Sequence, residues 1–206
     1  MATCRTVING ALRKLGRLGA GREPRTADQT DALAALQGLY SSWVAAGAFG
    51  RLADVIPLVD YTAGVNQRII RDPEVVTVTL PEFMPMYGDP MTYGEERPCD
   101  GYGREHVPPR DGSVVQIMDT NGQQTETWIY DAALRVWTDI GLLQLDNEAP
   151  RSASDPEGLS AALALELADT FGADVGPTTV RQATRYQTAM THRYGMRAEA
   201  AAGVYF

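Results

Sequence analysis

Ser154-Asp-Pro-Glu-Gly-Leu-Ser-Ala-Ala-Leu-Ala-Leu-Glu-Leu-Ala168 decides the fold, because it returns the chain to helix after a long stretch that reads as strand and loop. Asp155 is placed to cap a helix, and Pro156 fits the first turn, where a missing amide costs nothing. Leu159, Leu163 and Leu167 then recur at steps of four, with Ala162 and Thr170 beside them, and Gly172 ends the pattern. After Gly176-Pro177 a last helix is expected, with Val180, Ala183, Gln187, Met190 and Tyr194 on one side and a stop at Gly195.

The chain also begins as helix. Cys4, Val7, Ile8, Ala11, Leu12 and Leu15 form one apolar stripe, and Gly16, Gly19, Gly21 and Pro24 bar its continuation. Thr26-Ala-Asp-Gln29 fits a capping box, in which the Thr26 hydroxyl and the Gln29 amide satisfy free backbone groups reciprocally. The helix it opens carries Leu33, Leu36, Tyr40, Trp43 and Val44 on one side and stops at Gly47.

Between these helical ends the pattern changes. Residues 75–80 are β-branched and read as a strand closed by Pro81. Residues 81–112 are dense in proline and glycine and read as a long irregular loop, a length uncommon without a contact function. Strands are expected at 114–118, 126–130 and 134–140, with Asp119-Thr-Asn-Gly122 turning the chain between the first two. The expected fold class is α+β, mainly α. A helical bundle domain from residues 1–73 and 146–194 is interrupted by a β-rich insertion at 74–145, and residues 195–206 form an extended C-terminal tail.

Charge follows the same division. Residues 1–25 hold Arg5, Arg13, Lys14, Arg17, Arg22 and Arg25 against Glu23, and residues 181–206 hold Arg181, Arg185, Arg193 and Arg197 against Glu199. The total is nonetheless −8, so residues 26–180 are strongly acidic. Basic ends suit an acidic partner surface, and an acidic body resists adhesion to DNA. Of the 18 basic residues only Lys14 is a lysine, which favours planar, bidentate pairing.

With 44% hydrophobic residues and a mean hydropathy of −0.22, the chain can bury a sizeable core. No apolar run approaches the ~20 residues of a membrane span, and the polar start offers no leader, so folding in the cytoplasm is expected. Cys4 and Cys99 give no disulfide framework.

Catalytic constellations are thin. His106 and His192 are the only imidazoles, and neither sits beside a nucleophile motif. Cys4, Cys99, His106 and His192 lack metal-ligand spacing, so no metal or other cofactor is expected. Gly101-Tyr-Gly103 lacks the third glycine of a nucleotide loop, and Glu95 and Glu96 read as a solvated pair.

The order of motifs points elsewhere. Ile8-x-x-Ala-Leu-x-x-Leu-Gly16 precedes the helix with Leu36, Leu39 and Trp43, and Asp60-Tyr-Thr-Ala-Gly-Val-Asn-Gln-Arg-Ile69 leads toward Val78-Thr-Leu-Pro81. Pro108-Pro-Arg-Asp-Gly112, Trp128-Ile-Tyr-Asp131, Trp137, Asp146-Asn-Glu-Ala-Pro150 and Gly158 to Ala168 follow. Over residues 4–194 this set resembles the tail accessory factor, or packaged-DNA stabilisation, family of head-completion proteins, the head-to-tail adaptors of tailed bacteriophages. The resemblance implies a structural virion protein rather than an enzyme. Copies form a ring, generally of twelve, beneath the portal protein, extend the DNA channel and seat the next tail component. It further implies that C-terminal segments dock on the portal, which singles out Arg193, Arg197, Val204, Tyr205 and Phe206 here. DNA passes without specific binding, no membrane is involved, and the free protein is expected to be monomeric until it meets portal. Other readings are a different head-tail connector or minor tail subunit, such as a stopper, or an enzyme using loop 81–112 with His106 as base.

Overall fold

The structure is a computed structural model that describes residues 2–19, 21–50, 52, 55–58, 66–71, 111–132, 135–152 and 155–195, without the side chains of 55–58 and 192–195. The fold is α+β, with four helices and one mixed sheet. The chain divides into two compact units: Met1–Arg51 with Thr138–Phe206, and Leu52–Trp137. These boundaries differ from those read in the sequence, 73/74 and 145/146, because two strands lie before residue 74 and the last strand ends by 139.

In the first unit, α1 (Cys4–Lys14) buries the whole expected stripe: Cys4, Val7, Ile8, Ala11, Leu12 and, at its cap, Leu15. Each large aliphatic side chain so buried contributes about 1.5–3 kcal/mol. Thr3 caps its start by accepting from the Thr6 amide. α2 (Thr26–Ala45) buries Ala32, Leu36, Leu39, Tyr40, Trp43 and Val44, while Leu33 stays half exposed. Both helices end alike. Gly16 and Gly47 take left-handed φ values of 68° and 70°, and the following amides of Arg17 and Ala48 reach back to the carbonyls of Leu12 and Trp43.

The capping box expected at Thr26 is not formed. Arg25 occupies the cap position in an extended conformation without a side-chain bond, and Thr26 already lies inside the helix. A Thr26 hydroxyl one residue past the cap cannot reach the free amides.

α3 (Pro156–Phe171) packs on α1, α2 and α4 (Pro177–Gly195), and it is the centre of this unit. Every residue from Gly158 to Ala164 is buried, and Leu167 continues the set, so this helix is apolar around most of its circumference. Asp155 caps it as expected, accepting from the Gly158 amide at 2.8 Å. Close packing depends on small residues. A Cβ at Gly10 of α1 would lie 2.6 Å from Ser160 Oγ, and one at Gly158 would lie 2.8 Å from Tyr186 Cβ of α4.

On α4 the buried set is Thr179, Ala183, Tyr186 and Met190. Ala183 and Met190 are as expected, but Val180 is 41% exposed and Gln187 faces solvent. The helix is rotated because Tyr186 finds both an apolar neighbour and a polar one. Its ring packs 5.8 Å from that of Trp43, and its hydroxyl donates to the Arg151 carbonyl at 3.1 Å. Tyr40, edge-on to Trp43, donates in the same way to the Pro150 carbonyl. The segment between these carbonyls and residue 145 also holds the start of the chain. Cys4 and Arg5 amides donate to the Asn147 and Leu145 carbonyls, and Ser152 Oγ joins both backbone groups of Ala2.

The sheet runs in the order β1 (Val55–Leu58), β2 (Gln67–Arg71), β3 (Val114–Met118), β4 (Gln124–Asp131), β5 (Val136–Asp139), and its first four strands belong to the second unit. β1, β2 and β3 run parallel, and β3 and β4 form an antiparallel hairpin. The hairpin turn is the expected one: Gly122 takes a φ of 78°, and Asp119 Oδ1 accepts from the amides of Asn121 and Gln123. β3 has the expected limits, β4 is longer than 126–130, and 134–140 shortens to β5 before a 3-10 turn at Ile140–Leu142. The strand at 75–80, the loop through residue 110 and the tail 196–206 lie outside the described residues. Among the described residues no helix is long and apolar enough to cross a membrane.

Candidate interaction surface

Six basic residues precede α2, and the fold engages three of them. Arg5 pairs with Asp146 at 2.8 Å on the surface, and Lys14 Nζ meets Glu157 Oε2 and Gln182 Oε1, each at 2.9 Å. Arg17 donates to the Phe171 carbonyl and lies 5.6 Å over the Phe171 ring. Exposed pairs of this kind contribute about 0–1 kcal/mol, so they orient side chains more than they stabilise the unit. Arg13, Arg22 and Arg25 are exposed and form no ion pair among the described residues.

α4 presents the second basic face. Pro177 starts it, the buried stripe turns Ala183 and Tyr186 inward, and this leaves Val180, Arg181, Thr184, Arg185 and Thr188 outward. With Ala189 these residues line a shallow open concavity of about 540 Å³. Arg181 and Arg185 stand one turn apart and are unpaired among the described residues. The Lys14–Gln182 contact places the end of α1 beside this half of α4, so the basic residues of both chain ends share one region of the unit.

Of the residues singled out for partner binding, Arg193 falls within α4, but its side chain lies outside the described residues, as do Arg197, Val204, Tyr205 and Phe206. Cys99, His106, Glu95, Glu96 and Gly101 to Gly103 also lie outside them, and so does the His192 side chain. Cys4 is a core residue, and burial pushes its thiol up to about 11, which keeps it protonated and unreactive. No group of three His, Cys, Asp or Glu residues able to hold a metal ion occurs among the described residues.

The sheet unit carries polar features that its sequence pattern does not reveal. Glu126 on β4 pairs with Arg71 on β2 at 3.1 Å and accepts from Trp128 Nε1 at 2.9 Å, binding nonadjacent strands on one face. Tyr130 is fully buried, and its ring centroid lies 5.2 Å from that of Trp137. Burial raises its phenol above the ordinary range, with Arg135 opposing and Asp131 and Asp111 adding, so it holds its proton. A buried protonated phenol and a salt-bridged carboxylate offer packing rather than a nucleophile. Among the described residues the exposed large hydrophobics are Val180 on α4, Val136 on β5 and Leu142, which is 72% exposed on the 3-10 turn beside α2. A stripe reading cannot find these, since they are the residues left over once the core set is known.

A scan against protein-family models and a search of curated proteins return no match to this chain.

Proposed function

We propose that this chain is a structural virion protein, a head-to-tail adaptor that docks under a phage portal as a ring and offers a platform to the next tail component. On this reading the chain is a helical bundle with a β-rich insertion and an extended C-terminal tail, and it performs no catalysis. The ordered motif set across residues 4–194 supports the family. The observation that carries an assembly role is the outward face of α4, where Val180, Arg181 and Arg185 are exposed, and the portal contact on this reading is the arginine- and aromatic-bearing segment beyond that helix, with Arg197, Val204, Tyr205 and Phe206. Aromatic and arginine side chains are the usual anchors of protein interfaces. The acidic middle of the chain suits a channel wall along which DNA slides without adhering.

The test is to mix purified protein with its cognate portal and image the product by electron microscopy. A closed ring seated on the portal is expected, and shortening the chain after Gly195 should abolish seating. Intact protein that leaves portal bare under assembly conditions sinks the proposal. A protein that instead joins a preformed portal–adaptor complex is a stopper or another connector. His106→Ala should leave assembly unchanged, and a loss of an activity in that variant would favour an enzyme.

A further inference from the structure

The two longest helices carry opposite charge. α2 contains Asp28 and Asp31 and no lysine or arginine, whereas α4 contains Arg181, Arg185 and Arg193 and no aspartate or glutamate. The unit's own fold does not consume these charges. Asp31, Arg181 and Arg185 are exposed, Asp28 is half exposed, and none of the four forms an ion pair among the described residues. Both helices belong to one compact unit and touch through Trp43 and Tyr186, so their outer faces are separate patches on the same body.

The shapes also match. The outward face of α2 includes Ala27, Thr30, Asp31, Ala34, Gly38 and Ser41, with the half-exposed Asp28 at its edge, and a Cβ added at Gly38 would meet nothing within 4 Å. A helix side bearing small residues around its carboxylates admits close approach of another helix. The outward face of α4 offers a half-exposed valine flanked by two long arginine side chains.

We propose that the outer face of α4 in one copy docks on the outer face of α2 in a second copy of the chain. A second copy is the fitting occupant because the chain itself supplies both halves of the complementary pair. Like-on-like pairing is disfavoured, since α4 on α4 opposes arginines and α2 on α2 opposes aspartates. The contact joins two different faces of the same body, so it can repeat head to tail into a ring or a filament. It rests on the adaptor reading for closure into a ring, and on the charge pattern alone for the contact. Exposed ion pairs are weak and salt-screened, so dilute protein stays dissociated and copies associate only when concentrated, as on a portal surface.

The experiment compares self-association by sedimentation at rising concentration and low salt, and ring formation on portal, for three variants. These are Arg181→Glu with Arg185→Glu, Asp28→Arg with Asp31→Arg, and all four together. Each reversal alone should weaken self-association by about tenfold or more, because it sets like charges face to face, and the fourfold variant should recover it. Circular dichroism melts establish that each variant is folded. Unchanged association after the α4 reversal overturns the proposal, and so does a fourfold variant no better than either double. An α4 reversal that lowers the melting temperature of the monomer without touching association shows the face covered by the chain's own C-terminal segment, which also overturns it. Rings that form on portal equally well with every variant refute the contact and keep the adaptor. Charge-dependent self-association in a protein that ignores portal keeps the contact and removes the adaptor.

Discussion

Two glycines set the spacing of the helices. Alanine at Gly158 would gain about 1 kcal/mol of helix propensity, but its methyl would lie 2.8 Å from Tyr186 Cβ and 2.5 Å from Asp155 Oδ2. Overpacking of this kind costs about 1–3 kcal/mol, and Tyr186 Cβ is anchored to backbone and cannot swing aside. Gly158→Ala should therefore lower the thermal midpoint, and a neutral or stabilising result would mean that α3 and α4 are not in such close contact. Cys4 makes a second prediction. Its thiol titrates near 11 in the folded chain against an ordinary value of 9.0. The folded state thus holds a proton that the unfolded state releases between those values, and the contribution of Cys4 is complete below about pH 9 and is lost as pH rises toward 11. In denaturant melts the stability difference between the natural chain and Cys4→Ala should narrow from neutral pH to about pH 10, whereas a constant difference would contradict it. The Cys4 position was legible, since it opens an apolar stripe with a single period. Gly158 was not, because a glycine in a helix signals close packing only once the neighbouring helix is known.

Elements were legible in proportion to how far local pattern alone determines them. α1 has one apolar stripe and one partner side, so its whole buried set follows from spacing. The hairpin of β3 and β4 follows from Asn121-Gly122, whose turn chemistry is local. β1 and β2 were hidden because Gln67, Arg68 and Arg71 surround Ile69 and Ile70, and a parallel strand takes its meaning from partners distant in sequence. α4 shows the limit of periodicity most directly. Val180 and Gln187 satisfy the spacing as well as Thr179 and Tyr186 do, and only the Trp43 ring and the Arg151 carbonyl decide between the two faces. Val180→Lys and Gln187→Lys should accordingly change stability by no more than about 0.5 kcal/mol, whereas Ala183→Lys should cost at least about 3 kcal/mol by burying a charge. Tyr186→Phe should fall between, at about 1 kcal/mol for the lost hydrogen bond. Equal effects at positions 180 and 183 in chemical denaturation would show the helix rotated from its described orientation.

The whole chain makes one compact unit from its two ends and another from its middle. α1 and α2 come from one end and α3 and α4 from the other, and backbone bonds from the Cys4 and Arg5 amides to the Asn147 and Leu145 carbonyls, and from the Ala149 amide to the Ala2 carbonyl, stitch the start of the chain to residues 145–149. An engineered protease site between residues 72 and 110 should therefore yield two fragments that stay together through gel filtration and part only in denaturant. Fragments that separate on cleavage would show that the helices are not interlocked. Helices at both ends were legible in the sequence, whereas β1 and β2 left no signal of their own. A consequence lies in biosynthesis. The ribosome delivers α1 and α2 first, yet their apolar sides wait for α3, which emerges only after the sheet strands. The strands of the middle thus leave the ribosome before the first helices gain α3 as a partner. For that interval the apolar stripe of Cys4 to Leu15 lacks its α3 partner, which makes it a segment for chaperones to shield.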